Sequence, residues 1–411
     1  KTAILQISKK IKTEEDRFNL AASFQKTIEE ILKKKTEIAF DKFETQINKM
    51  LARHDGKRLV NVNGTMVGDG ENTYVVAEAA CNHMCDVDMA IKMTDHAVEA
   101  GASAIKFQTY KAEKLVRANA TLYWNGKETS QLEYYSRLDR LGADEYRTIF
   151  ADANAKGILP FSTPFDTDNA DMLNDLGMPL FKIASCDLPD HRLLKHVAEK
   201  GKPIVLSTGG STTEEIDAAI EVLYDAGNFD IILLACTLSY PTPNPAANLR
   251  RVSALKERYP WMVIGLSDHT EPDDHMVIPA LAVALGAHLI EKHYTLDRTM
   301  TGSGHFFSVN PQNLTDMIEN IRLAEVVLGD ARIEVIEAEQ AARDSARRSI
   351  VAEQAIAKGE RIESVMLGMK RPADGLPGSM MSSVVGKFAI ADIEPDQAIS
   401  VEMLSAEPVN D

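Results

Sequence analysis

Short apolar runs recur along the middle of the chain, each separated from the next by a stretch with helical periodicity. The stretches between them, such as Val87–Ala100 and Thr213–Ala226, place apolar residues three or four positions apart. The runs are Tyr74–Glu78, Ala104–Gln108, Ile158–Thr163, Leu180–Ser185, Pro203–Thr208, Ile231–Cys236, Met262–His269 and His288–His293. Such runs are typical of parallel strands buried on both faces. Eight strands alternating with helices predict an α/β fold, a (β/α)8 TIM barrel.

The N-terminal part of the chain follows a different pattern. The stretch Glu14–Arg53 has no Pro or Gly, and apolar residues such as Phe18, Ile28 and Leu32 recur at helical spacing. This pattern predicts a helical N-terminal extension over residues 1–57, as one long helix or a helical hairpin.

The barrel is expected over residues 58–312, beginning with a β-hairpin whose turn contains Gly64. A helical linker is expected over residues 313–347. The remaining segment, 348–411, contains short strand-like pieces such as Ser349–Ala352 set among turn signals. It predicts a small, separate β-rich domain.

Composition and charge exclude several classes of function. The 45 Lys and Arg against 61 Asp and Glu give a net charge of -16, which disfavours nucleic acid and anionic membrane partners. No apolar run reaches the roughly 20 residues that a spanning helix needs. The 4 cysteines are too few for a disulfide framework, and a zinc knuckle at Cys81–Cys85 lacks a second ligand pair. We therefore expect a cytoplasmic protein with reduced cysteines.

Most of the predicted strands end in polar residues. The active site of such a barrel lies at the carboxyl-terminal ends of its strands. His269 and His293 end two consecutive strands, so both imidazoles would reach one rim, where a divalent metal could bridge them. Lys106 and Lys182 would need counter-charges if buried, and with nearby hydroxyls they suit a phosphate and a carboxylate. Each serine alone is equally explained as a helix cap, and each histidine alone as a hydrogen-bonded rim residue.

Motifs that contain these residues appear in chain order. They are Ala77–Glu78 with Asn82–His83, Ile105–Thr109, Phe161–Phe165, Phe181–Ser185, Leu206–Gly209, Cys236–Thr237 with Tyr240–Pro243, Gly265–Thr270 and Glu291–His293. Together they resemble the sialic acid synthase (nonulosonate synthase) family. The tail from Arg347 to Lys387 resembles the family's C-terminal antifreeze-like (SAF) domain. The helical extension lies outside this match.

The resemblance implies condensation of phosphoenolpyruvate with an N-acylated hexose, N-acetylmannosamine or a diamino-sugar relative, to a nine-carbon 2-keto sugar acid. His269 and His293 would hold a divalent metal that polarises the aldehyde, with Mn²⁺ preferred over Mg²⁺ or Co²⁺. Glu78 would orient or deprotonate the water that attacks C2, or serve only as an ion-pair partner of Lys106. The implied phosphoenolpyruvate-binding residues are Lys106, Thr163, Lys182, Ser185, Ser207 and Ser267.

The resemblance also implies a set of sugar-binding residues: Gln108, Asp187, Tyr240, His305 and Arg371. Arg371 matches an arginine that, in the family, reaches from the C-terminal domain into the partner subunit's barrel. This implies a domain-swapped homodimer whose sites are completed in trans. An arginine in a solvated loop is the alternative.

Three positions depart from the family pattern. Gly304 stands where an aspartate is frequent, although His305 follows it; Leu238 replaces an asparagine, and Asp187 a glutamate. The reaction is expected to be retained, while the acceptor sugar stays open among sialic, legionaminic and pseudaminic types. The alternatives are a synthase that makes a shorter ulosonate, which the SAF-like tail disfavours, and a non-catalytic sugar- or metal-binding scaffold, which both histidines disfavour.

Overall fold

The computed structural model describes residues 56–122 and 130–409, together with 13–15, 22–23, 25–30, 32–34, 37, 41, 44–45 and 47–48. Within the predicted N-terminal extension, the described residues from Glu14 to position 48 are helical and nearly all exposed. Ile28 and Leu32, on the predicted apolar stripe, are 40% and 58% exposed. Phe18 and most of the predicted extension lie outside the described residues.

Eight parallel strands form the centre of the first and larger part of the chain, up to Gly329. They follow an antiparallel hairpin of β1 (Leu59–Val62) and β2 (Thr65–Gly68). The eight are β3 (Tyr74–Ala80), β4 (Ala104–Thr109), β5 (Leu159–Pro164), β6 (Phe181–Ile183), β7 (Ile204–Ser207), β8 (Ile231–Cys236), β9 (Val263–Asp268) and β10 (Leu289–His293). Hydrogen-bonded neighbours run in the order β5-β4-β3-β10-β9-β8-β7-β6. Because β5 and β6 also contact each other, the sheet closes, and the predicted (β/α)8 barrel is confirmed.

Helices lie outside the barrel, and most of them bury one face against it; Gln131–Ser136 buries no residue. Aspartate and threonine side chains cap several of them: Asp86 accepts from the Met89 N–H, and Thr212 forms a capping box with Glu215. The helices of this layer are Val87–Glu99, Ala112–Leu115, Gln131–Ser136, Ala143–Ala155, Thr167–Asp175, His191–Ala198, Thr213–Asp225, Arg250–Arg258, Val277–Ala284 and Pro311–Leu328.

The hairpin of β1 and β2 packs at the amino-terminal end of the barrel strands. Its valines Val60, Val62 and Val67 belong to the main hydrophobic core. Asp69, directly after β2, accepts two hydrogen bonds from Arg58 side-chain nitrogens and lies 3.2 Å from His288 Nε2, at the start of β10. The carboxyl-terminal ends of the strands therefore lie away from the hairpin.

The chain divides into two compact units between Gly329 and Asp330. Helix Pro311–Leu328 belongs to the first unit, where Leu314 and Ile321 are fully buried. The predicted linker of residues 313–347 therefore spans the boundary between the units.

The second unit has its own small apolar core and two short antiparallel sheets. β11 (Ser349–Ala352) pairs with β12 (Leu367–Lys370), and β13 (Phe388–Ala389) pairs with β14 (Leu404–Ser405). Helices Gln340–Ala346 and Met381–Val384 accompany them. Its buried core includes Ile350, Ile362, Val384 and Ile399. The β-rich character predicted for the C-terminal segment is confirmed.

In the part of the chain that the structure describes, no helix has the length and apolar character needed to cross a bilayer. All four cysteines, Cys81, Cys85, Cys186 and Cys236, are free thiols.

Candidate active site

The strand register places the polar residues near the carboxyl-terminal ends of the strands in one layer inside the barrel. We call the inside of the barrel the lumen. Ser267 on β9 is the register partner of Glu291 on β10, and His293 is the partner of Glu78 on β3. Glu78 is in turn the partner of Lys106 on β4. Because strand side chains alternate between faces, these partners project together into the barrel. The register alone therefore unites four residues predicted from sequence with one, Glu291, that was not.

Lys106 is the centre of a buried polar cluster. Its Nζ lies 2.9 Å from Glu78 Oε2 and 3.2 Å from Glu291 Oε1. It also donates to Thr163 Oγ1 at 3.2 Å. Burial raises the pKa of Glu78, only partly offset by Lys106. A carboxyl group in this state can exchange a proton near neutral pH, which suits a general acid or base.

Glu291 links the two lysines of the lumen. Its Oε1 accepts a hydrogen bond from Ser267 Oγ at 3.0 Å and lies 3.5 Å from Lys182 Nζ. Although burial opposes ionisation, Lys106 and Lys182 hold the pKa of Glu291 below its usual range. Burial, and then the neighbouring Lys106, lower the pKa of Lys182. The lumen thus holds two lysines against two glutamates.

Hydroxyl groups line the lumen beside Lys182. Ser185 Oγ accepts the N–H of Gly209 at 2.9 Å, in the turn after β7. A Cβ at Gly209 would stand 2.8 Å from Ser185 Oγ and 2.9 Å from Cys236 Sγ, so this close approach requires glycine. Ser207 Oγ is buried without a hydrogen-bond partner among the described residues. An unpaired buried hydroxyl is costly, and a bound anion would satisfy it.

His269 and His293 lie together, with ring centroids 5.3 Å apart, and are 6% and 8% exposed. His269 Nδ1 donates to the carbonyl of Thr237 at 2.9 Å, which leaves Nε2 free as a ligand. Burial, and then His269, lower the pKa of His293 well below its usual value, and its Nδ1 has no hydrogen-bond partner among the described residues. Against the effect of burial, Cys236 raises the pKa of His269, an effect that a bound cation would oppose.

These two imidazoles could together ligate a divalent ion. The described residues contain no group of three or more His, Cys, Asp or Glu side chains arranged to hold a metal. An ion here would therefore take two protein nitrogens and leave its other positions for water or substrate oxygen, as catalytic sites do.

An aromatic wall adjoins the histidines. The ring of Tyr240 lies 4.3 Å from that of His269, between centroids. The ring of Phe307 lies 4.9 Å from that of His293 and 5.5 Å from that of Tyr240. A Cβ at Gly304 would stand 2.7 Å from Phe307 Cζ, so Phe307 fills the space that a side chain at position 304 would need.

The other predicted sugar-binding residues are less closely tied to this cluster. His305 is fully buried; its Nδ1 hydrogen-bonds to Thr295 Oγ1 at 2.7 Å. Gln108, in β4, and Asp187, in the short turn after β6, are half-buried. Burial raises the pKa of Asp187 to about 7. Arg371 is exposed, directly after β12 in the second unit.

Comparison with known proteins agrees with the fold and the motif order. The NeuB family model matches residues 93–333, and the SAF domain model matches residues 347–405. The N,N'-diacetyllegionaminic acid synthase of Campylobacter jejuni is 35% identical over 336 residues, 80% of this chain and 99% of that protein. The human N-acetylneuraminate-9-phosphate synthase is 30% identical over 345 residues, which cover 83% of this chain and 95% of the human protein.

A solved structure gives the same result. The crystal structure of the N-acetylneuraminic acid (sialic acid) synthetase from Leptospira borgpetersenii matches with a TM-score of 0.63 and 33% identity, over 69% of this chain and 95% of that one. The chain therefore belongs to the NeuB family of sialic acid synthases and carries a C-terminal SAF domain.

Proposed function

We propose that this enzyme condenses phosphoenolpyruvate with an N-acylated hexose to give a nine-carbon 2-keto sugar acid and phosphate. The observation that carries the proposal is the lumenal layer, in which two buried lysines and an unpaired hydroxyl group adjoin a histidine pair. The relatives named for N,N'-diacetyllegionaminic acid and N-acetylneuraminate 9-phosphate support the class of product.

The lysines and hydroxyls of the lumen would bind phosphoenolpyruvate. Lys106 and Lys182 attract its phosphate and carboxylate, and both are too buried for water to screen them. Ser185, Ser207 and Ser267, together with Thr163, fix its orientation by hydrogen bonds. Because Glu291 already neutralises part of the lysine charge, the anion must compete with this carboxylate for the two ammonium groups.

Carbon–carbon bond formation joins C3 of phosphoenolpyruvate to the aldehyde carbon of the open-chain sugar. His269 and His293 would hold a divalent ion, Mn²⁺ by preference with Mg²⁺ or Co²⁺ as substitutes, which supplies Lewis acidity toward the aldehyde oxygen. Glu78, with its raised pKa, orients the water that adds to C2 and accepts its proton. The C2–C3 double bond of phosphoenolpyruvate supplies the electron pair of the new bond, and the former aldehyde oxygen takes up a proton from solvent. The C2 hydroxyl that the water adds becomes the keto group as the C2–O bond to phosphate breaks, and its proton leaves with the phosphate.

The acceptor sugar lies against the aromatic wall of Tyr240 and Phe307, with Gln108, Asp187 and His305 as its polar contacts. The second unit supplies Arg371 from a partner subunit, so the active form is a domain-swapped homodimer. The negative net charge and the free thiols are consistent with a cytoplasmic enzyme.

Phosphate release from phosphoenolpyruvate tests the function directly. It is measured with Mn²⁺ over a panel of N-acetylmannosamine and diacetamido-sugar acceptors. Release with one acceptor, lost on chelation and reduced at least about 100-fold in His269→Ala, is expected. His96→Ala, which changes an exposed histidine on helix Val87–Glu99, is the matched control and keeps full activity. No release with any acceptor would refute the proposal.

A further inference from the structure

A buried polar network lies behind the two histidines, on the opposite face of their strands. Asp268 precedes His269 at the end of β9, and Lys292 precedes His293 at the end of β10. Asp268 and Lys292 are register partners, so they meet on the face that points away from the lumen. The proposed chemistry uses neither of them.

The network is closed by Thr270. Lys292 Nζ lies 2.7 Å from Asp268 Oδ2 and donates to the Thr270 carbonyl at 2.5 Å and to its Oγ1 at 3.1 Å. Asp268 accepts from the Thr270 N–H at 2.9 Å and from Thr270 Oγ1 at 3.0 Å. The three residues are 1–3% exposed. All three protons of the ammonium group thus have an acceptor, and both carboxylate oxygens have a donor.

This network holds the backbone on both sides of His269 and on the N-terminal side of His293. His269 lies between Asp268 and Thr270 in the chain, and Lys292 is bonded covalently to His293. The carbonyl of His269 is also fixed, because it accepts the Thr242 N–H at 2.7 Å. A shift of one strand end against the other would break several charge-assisted hydrogen bonds at once.

We propose that the Asp268–Thr270–Lys292 network is a positioning device that sets the spacing of the His269 and His293 imidazoles. The identity of the ion that the imidazoles hold rests on the proposed function; the positioning itself does not. Stability alone accounts poorly for the network, because apolar residues of similar volume often replace a buried ion pair without loss. Apolar residues cannot replace the hydrogen bonds that fix one strand end relative to the other.

Two variants separate positioning from folding. The double variant Asp268→Asn with Lys292→Met removes both charges together and leaves no unpaired buried ion. Thr270→Val keeps the ion pair and the side-chain volume but removes the shared hydroxyl. The matched control is Asp217→Asn with Arg258→Met, which removes a half-exposed ion pair on the outer helices. Far-ultraviolet circular dichroism and thermal unfolding verify that each variant folds.

Mn²⁺ affinity, measured from the electron paramagnetic resonance signal of the free ion, is the first readout. We expect it to fall about 10- to 100-fold in the double variant and by less in Thr270→Val. The control variant should match the wild type. Where the wild type binds Mn²⁺, folded network variants that bind it as tightly would overturn the proposal.

Histidine signals in the metal-free chain give a readout that does not depend on the ion. The imidazole ¹⁵N resonances of His269 and His293 are assigned by their loss in His269→Ala and His293→Ala. Both should shift in the network variants and stay in place in the control. If the wild type bound no Mn²⁺, the metal part of the proposed function would fail, and shifted resonances would still support positioning. Unchanged resonances in folded variants would refute positioning whatever the metal result.

Discussion

His83 is a buried histidine that can make the free energy of unfolding fall at low pH. It lies after β3, 1% exposed, with its ring edge-on to that of Phe107 at 5.7 Å between centroids. Its Nδ1 accepts the N–H of Cys85 at 3.1 Å, so the folded protein holds the neutral ring. Burial lowers the pKa of His83 to about 4.

We expect His83 to make folding stability fall on the acid side. The folded pKa of about 4 lies below the ordinary histidine value of 6.5, so the unfolded chain binds the proton more readily. The contribution of His83 is complete above pH 6.5 and is lost as the pH falls toward 4. Between pH 7 and pH 5 the loss is about 2 kcal/mol.

Urea unfolding at pH 7 and pH 5 measures this loss. In His83→Gln the difference in unfolding free energy between the two pH values should shrink by that amount. His96→Ala, an exposed histidine, should leave the difference as in the wild type. Equal pH dependence in His83→Gln and wild type would show that another group sets the acid limit.

The residues of the lumen were largely predictable, since strand ends in a barrel share one rim. Lys106, Lys182 and the two histidines were identified this way, and the structure brings them together. Glu291 was missed, although the alternation of strand side chains places it on the same face as His293. The same rule turns Lys292 to the opposite face. The three contacts of Glu291 could not be predicted, because they depend on which distant strands become neighbours.

At the scale of elements, the β1–β2 hairpin offers a matched pair of glycines. Gly64 has φ +92°, and a Cβ added there would meet no atom within 4 Å. Gly68 has φ +139°, and a Cβ there would stand 1.9 Å from the carbonyl oxygen of Arg58. Gly64→Ala therefore meets only the backbone cost of a positive φ, while Gly68→Ala must also displace the neighbouring strand.

We expect Gly64→Ala to lower the unfolding free energy by about 1 kcal/mol, and Gly68→Ala by about 1–3 kcal/mol more. Thermal or urea unfolding gives both values. Because the hairpin packs at the end of the barrel away from the site, the KM for phosphoenolpyruvate should stay unchanged in both variants. Equal losses of unfolding free energy in the two variants would mean that the strand beside Gly68 shifts to accept the methyl group at no cost.

Element boundaries were harder to predict than element types. The segment 313–347 was predicted as one helical linker. The structure ends its first helix at Leu328, before Gly329, and buries Leu314 and Ile321 of that helix in the barrel core. Periodicity identifies an apolar face but does not say which core covers it.

At the scale of the whole molecule, helix Pro311–Leu328 also carries an apolar surface that its own unit leaves uncovered. Leu323, Val326 and Val327 are 61%, 78% and 71% exposed. The proposed homodimer would give these exposed apolar side chains a partner surface to pack against.

If Arg371 acts in trans, two inactive variants should restore each other. Arg371→Ala and His269→Ala are each expected to be inactive alone. In a mixed dimer, the site with intact histidines receives Arg371 from the His269→Ala partner subunit, while the other site carries both defects. Random mixing makes half of the dimers mixed, so about a quarter of wild-type activity should return.

Refolding the two variants together, or co-expressing them with different tags, gives the mixed dimers. Phosphate release from phosphoenolpyruvate is then measured on the doubly tagged fraction, where one site of two should be active. If the His269→Ala chain also carries Arg371→Lys, the intact site receives a lysine, which keeps the charge but loses the planar fork, so this mixed dimer should recover less activity. An inactive mixed dimer would place Arg371 in its own subunit's site, since each variant would then lack a residue that no partner can supply. Full activity of Arg371→Ala alone would remove Arg371 from the site.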